Sequence, residues 1–177
     1  MSARGALRSA TAADHARVDA LFSAHDLSNA RGYGDFLIAQ ARAHLPVEAA
    51  LDAYGVETLL PDWPERRRAG ALIADLRELS RALPEPLPLP PFVDDDAAAL
   101  GIVYVLEGSR LGGSLLNRSI ADHLPRRFVG SPARPGSWRN LLTLLDRALA
   151  DPERLKRAEA AARATFARFA DAAESAG

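Results

Sequence analysis

The chain has 177 residues, 22 Lys and Arg against 23 Asp and Glu, a formal net charge of -1 and no cysteine. Its length suits one domain, residues 1–177, with a core large enough to need neither disulfides nor a structural metal. The near-neutral balance argues against a nucleic-acid or membrane-surface binder, and the lack of cysteine excludes disulfides, thiolate catalysis, iron–sulfur clusters and cysteine zinc sites, fitting a reducing cytoplasm. The N-terminal "MSARGALRSATAADH" has no apolar core of the kind a secretory signal needs. No apolar run is long enough to span a bilayer.

Alanine, leucine, arginine and glutamate dominate, and all favour helix. No run of alternating β-branched residues and no Asn-Gly or Asp-Gly hairpin signal is present. The expected class is all-α. A first helix is predicted over Ala6–Ser23, where Leu7, Ala10, Thr11, Val18, Leu21 and Phe22 recur at helical spacing. Asp26–Asn29 reads as a turn. A second helix runs from Arg31 to Pro46, and a third from Val47 to Leu60, where "PDW" breaks it. A fourth starts at Pro64, a favoured first position, and continues to Leu83. The connector Pro84–Pro91 is proline-rich and reads as extended surface chain.

The acidic run Asp94–Asp96 opens a long helix predicted to reach His123, its carboxylates suiting the free N–H groups and the positive end of the dipole. A loop over Leu124–Ser137 and helices over Trp138–Ala150 and Pro152–Ala173 complete the chain. Inside the long helix lies "YVLEGSRLGGSLL", Tyr104–Leu116, with Gly108, Gly112 and Gly113. Each glycine costs a helix interior roughly 1 kcal/mol relative to alanine. Gly108 and Gly112 share a face, with Gly113 beside them. A bare surface of that kind permits close approach of another helix, contact with a flat ligand, or a kink.

Four histidines are present: His15, His25, His44 and His123. His15 and Asp19 are four apart on one helix, so Asp19 is placed to accept from one ring nitrogen and leave the other for a metal. On spacing alone a half-buried helix histidine is the stronger reading. His25, His44 and His123 are expected to be solvated. No Glu-x-x-His pair, H-E-x-x-H, P-loop lysine motif or G-x-G-x-x-G is found, and "LEGSRLGG" does not meet the nucleophile-elbow pattern around Ser109.

Two stretches together carry a resemblance. "LRSATAADHARVD", Leu7–Asp19, resembles the N-terminal signature of the heme oxygenase family. "YVLEGSRLGGSLL" resembles that family's distal helix in its bacterial, biliverdin-producing form, often associated with bacteriophytochromes. The order and the separation of the two also match. "YGDFL", "RAGALIADL" and "ATFARFADA" look like weaker family positions. The resemblance implies a single-domain helical bundle that cleaves heme to biliverdin, carbon monoxide and ferrous iron, with the α position of the ring expected as the target. It implies His15 as iron ligand, Asp19 as its orienting group, and Gly108, Gly112 and Gly113 as the distal wall. Ser109 stands where animal members keep an aspartate. Arg8 and Thr11 fall in the heme-binding signature, with Arg8 expected at one propionate and Arg139 or Arg163 at the other. Arg110 is expected to face solvent. Implied partners are oxygen, an electron donor such as a ferredoxin or flavin reductase, and a bacteriophytochrome as biliverdin acceptor. A non-catalytic heme or bilin carrier, and a helical interaction domain using His15 and the glycines for packing, are the competing readings.

Overall fold

The computed structural model describes residues 2–88 and 93–175, and among them there is no β-strand. Helix α1 (Ala3–Ala10) is capped by Ser2 and followed at once by α2 (Ala12–Phe22). Periodicity predicts one helix here, and Thr11 is the reason there are two. Its backbone leaves the helical region at φ -105° and ψ 5°. Its hydroxyl donates to the Leu7 carbonyl at 2.8 Å, alongside its own N–H at 3.0 Å. Such back-bonding bends helices, and here it re-aims the helix that carries His15.

Helix α3 (Ala30–Tyr54) joins the second and third predicted helices across Pro46. Proline lacks the N–H that should bond to the carbonyl four residues back. That carbonyl, on Arg42, instead accepts from the Leu87 N–H at 3.0 Å. The proline-rich connector thus repairs the helix it crosses; its residues Leu89–Pro91 lie outside those described. Gly55, at φ 79°, ends α3 in the left-handed conformation.

The predicted fourth helix is also two: α4 (Trp63–Arg66) and α5 (Ala69–Glu78). Glu48 of α3 accepts from the N–H groups of Arg68 (2.9 Å) and Ala69 (3.0 Å), which a continuous helix would have sent to its own carbonyls. Helix α6 (Asp96–Leu116) is capped by Asp95, whose side chain accepts from Ala98 N–H. It is buried nearly all round from Ala97 to Glu107 and stops short of His123. A 3-10 turn, Asn117–Ser119, follows, and then Ile120 is extended with its carbonyl accepting from Arg126. Helices α7 (Ser137–Ala148) and α8 (Pro152–Glu174) close the chain.

Helix α8 is the centre of the bundle, packed against α6, α2, α3 and α1. Its buried alanines, Ala158, Ala161, Ala162 and Ala172, let neighbours approach closely. At the α6–α8 crossing a methyl group on Gly101 would lie 2.2 Å from the Ala158 carbonyl oxygen. Gly101→Ala must push two packed helices apart, so it is expected to cost roughly 1–3 kcal/mol in denaturant unfolding. Gly70→Ala, where an added methyl meets nothing within 4 Å, is expected to be neutral or to stabilise by up to about 1 kcal/mol. Equal effects at both positions would show that the crossing is loose.

Candidate functional site

His15 projects from α2 with 61% of its side chain exposed, and its Nδ1 lies 3.1 Å from Asp19 Oδ2. The ring meets Phe166 of α8 edge-on at 5.5 Å. Nε2 has no hydrogen-bond partner among the described residues. Ala12 and Ala16, exposed on the same helix, are too short to screen the ring. The neighbouring Asp14 binds Arg163 Nε of α8 at 3.1 Å. Asp19 and Phe166 are thus the side chains that meet the histidine, and Arg163 ties α8 to the residue before it.

The glycines of α6 divide. A methyl built on Gly108 or Gly112 meets nothing within 4 Å, whereas one on Gly113 would lie 2.8 Å from the Val129 carbonyl. Gly113 is thus a packing position against the returning loop, not part of the open surface expected of it, because the Cα at 113 points a quarter-turn away from 112. Leu111 and Leu115 are 42% and 67% exposed and lie on the helix face that holds Gly108 and Gly112. Together they form an apolar strip open to solvent, the kind of surface that marks a binding site. Helices α2 and α6 share little direct contact with each other, and α8 packs against both.

Ser109 donates its hydroxyl to the Leu106 carbonyl at 2.8 Å and accepts from Arg68 at 2.7 Å. Arg8 is exposed on α1. With Arg4 it lies near enough to Tyr104 of α6 to oppose electrostatically the upward pKa shift that burial gives the phenol. Tyr104 stacks on Trp138 at 6.0 Å, and the adjacent Arg139 is exposed on α7. Thr11 is buried with its hydroxyl turned to Leu7, away from solvent.

Behind Ser109 lies a buried polar network that spacing alone does not predict. His44, expected to be solvated, is 1% exposed and bonds through Nε2 to Glu48 at 2.9 Å. Its other ring nitrogen, Nδ1, is buried with no partner. Arg68 donates to the Leu106 carbonyl and lies over the Phe128 ring, 4.8 Å from its centroid. Arg110, expected to face solvent, is 6% exposed. It reaches Glu107 Oε1, the Ser131 hydroxyl and the Arg66 carbonyl, while Arg66 donates to Glu107 Oε2 at 2.8 Å. The i, i+3 pair Glu107–Arg110 and the i, i+4 pair His44–Glu48 are visible in sequence, but nothing local distinguishes them from solvated pairs.

Burial holds the His44 pKa below its usual 6.5, with the nearby Arg68 and Arg110 cations acting the same way and Glu48 opposing. Burial pushes Glu48 upward, but the bonds from His44 and from the Arg68 and Ala69 N–H groups outweigh it and leave its pKa lowered. The pair is a neutral imidazole donating to a carboxylate. Burial, with Arg110 next, pushes the Arg68 guanidinium down to about 10 despite Glu107 and Glu48.

No family model matches the chain. It is 32% identical over 143 residues to a heme oxygenase of Xanthomonas campestris pv. campestris, covering 77% of this chain and 86% of that one. It is 28% identical over 169 residues to heme oxygenase PigA of Pseudomonas aeruginosa, covering 90% and 85%. A solved structure of NO- and CO-bound heme oxygenase from Neisseria meningitidis superposes with a TM-score of 0.85 at 23% identity, over 99% of this chain and 92% of that one. The architecture is that of an all-α heme-oxygenase-like bundle. The chain belongs to the heme oxygenase family.

The lowered pKa values give a direction for acid stability. For His44 the unfolded chain takes up a proton as pH falls through 6.5 and the folded chain resists it, so stability drops below that point. For Glu48, whose folded pKa is also lowered, stability present above 4.5 is lost as pH falls further. The urea midpoint is therefore expected to decline between about pH 7 and about pH 5, and His44→Gln to flatten that decline. A wild-type midpoint constant over this range would show that His44 is not held neutral.

Proposed function

We propose that this chain binds heme between α2 and α6 and cleaves it oxidatively to biliverdin, carbon monoxide and ferrous iron, using oxygen and external electrons. The observation that carries the reading is the pairing of an exposed, carboxylate-oriented histidine on one helix with an open apolar strip on another, bare of side chains at Gly108 and Gly112. The residues suit the group. An iron porphyrin would need a protein nitrogen to hold its iron, and His15 Nε2 has no hydrogen-bond partner among the described residues. Its flat faces need walls without bulk, and Gly108 and Gly112 leave space that a methyl would enter. Its carboxylates would need cations at the rim: Arg8 for one, and for the other Arg139, exposed on α7, or Arg163, which Asp14 already engages.

Heme, when bound, is both the substrate and the centre at which oxygen is activated. The protein's part is placement and polarity. Asp19 engages His15 Nδ1 and leaves Nε2 to the iron, setting tautomer and ring angle together. His15 would hold the iron of bound heme without the strong electron push of a thiolate. Leu111 and Leu115 keep bulk water from the reacting face. Ser109, its proton committed to the Leu106 carbonyl and one lone pair to Arg68, keeps a lone pair to hold a distal water. Gly113 contributes by packing on Val129, which keeps α6 from twisting away. The α meso bridge is the expected site of cleavage. A ferredoxin or flavin reductase supplies electrons, a bacteriophytochrome is the expected biliverdin acceptor, and the setting is cytoplasmic. No helix among the described residues is long and apolar enough to cross a membrane.

Hemin added to the purified chain is expected to give a Soret band that shifts in His15→Ala. Asp19→Ala should weaken binding by up to about tenfold, because the contact is solvent-exposed. With a reductant and oxygen, wild type should release biliverdin and carbon monoxide; heme retained without either product would make the chain a carrier. Gly112→Leu should raise thermal stability slightly, by under about 1 kcal/mol of helix propensity, while abolishing turnover. Unchanged turnover would show that this glycine does not face heme.

A further inference from the structure

Three charged side chains are buried together at the start of the glycine stretch. Glu107 accepts from Arg66 on one oxygen and Arg110 on the other, and all three side chains are 3–4% exposed. Arg66 also grips Asp62 through two bonds of 2.9 and 2.8 Å and donates to the Ser137 carbonyl at 2.9 Å. Arg110 reaches the Ser131 hydroxyl at 2.8 Å and the Arg66 carbonyl. One turn of α6, Glu107–Arg110, is thereby tied to the end of α4, the start of α7 and the loop before α7. That turn contains Gly108 and Ser109, and Gly112 follows one turn later.

Stability does not account for such an arrangement. Apolar side chains of similar volume usually do as well as a buried ion triad, or better. What the triad adds is direction. Gly108 and Gly112 have no side chains to interlock with a neighbour, and their face is open. Apolar packing on that face therefore cannot fix the height or rotation of α6, and the approach of Val129 to Gly113 on another face, made without directional bonds, limits them but does not set them. Hydrogen bonds of fixed length and angle can.

We propose that the Arg66–Glu107–Arg110 triad is a positioning element for ring cleavage. It holds the Gly108–Gly112 strip at one height and rotation against the porphyrin and so determines which meso bridge is attacked. The proposal rests on the reading of Gly108 and Gly112 as the wall facing heme.

The test uses the full chain with Arg110→Met, which keeps side-chain bulk and leaves Glu107 paired to Arg66, and with Ser131→Ala, which removes a single partner of Arg110 and should fold whatever Arg110→Met does. In the heme-free variants, amide exchange over residues 108–115 is expected to quicken by about tenfold or more as local opening becomes easier, with helical content kept. The hemin Soret band should stay at the wild-type position, because α2 is untouched. Biliverdin isomers resolved by chromatography should pass from one isomer in wild type to a mixture, with turnover down on the order of 10- to 100-fold in Arg110→Met and less in Ser131→Ala. Arg110→Lys should restore the single isomer in part. Unchanged exchange and an unchanged isomer ratio in folded Arg110→Met, or in Ser131→Ala if Arg110→Met does not fold, would overturn the proposal. Failure of the underlying reading shows elsewhere: wild type would give no bilin, or Gly112→Leu would leave turnover intact.

Discussion

Glu48 lies buried on α3 and accepts from His44 Nε2, Arg68 N–H and Ala69 N–H. Much of the polar interior depends on those three bonds. They end one helix at Arg66 and begin another at Ala69. They turn the Arg68 side chain toward α6, where it meets the Leu106 carbonyl and Ser109. Burial and the Arg68 and Arg110 cations keep His44 neutral against the pull of Glu48, in a site where a cation would have no water. A carboxylate at this depth survives because three donors meet it, the His44 ring one turn back on α3 and the two N–H groups freed where α5 begins.

The apolar half follows a different rule. Helix α8 is lined with buried alanine and meets α6 where Gly101 leaves no room for even a methyl group. Because α8 packs closely on both α2 and α6, those two helices stand on either side of it with little contact of their own. The histidine on one and the bare strip on the other remain open to solvent. A bulkier α8 would spread the bundle, and a longer side chain at Gly108 or Gly112 would occupy the open face.

The polar and apolar halves meet at Glu107–Arg110. On one side of that turn the helix is packed on apolar neighbours; on the other its face is exposed and carries no side chain at Gly108 and Gly112. Charged groups that are costly to bury stand where the helix loses its ordinary means of being held. Beside that turn Arg68 donates to the Leu106 carbonyl and to Ser109, a separate buried cation that gives the helix a polar edge at the surface.

Helicity throughout and the two signature stretches around His15 and Gly108–Gly113 were legible from the residues, because propensity, capping and i, i+4 spacing act within one or two turns. So was the His15–Asp19 pairing, which needs nothing beyond α2. Local rules did not reach the rest. Pro46 reads as a break until Leu87 satisfies the Arg42 carbonyl from across the fold. The stretch from Pro64 reads as one helix until Glu48 competes for its N–H groups. His44 and Arg110 read as solvated until Phe128, Ser131 and Arg66 enclose them. Gly113 cannot be told from Gly112 until Val129 folds over it. The sequence by itself determined which segments are helical and which residues carry the family's signature. Only the tertiary structure decided which side chains are buried and which glycines are open, because burial depends on partners dozens of residues away.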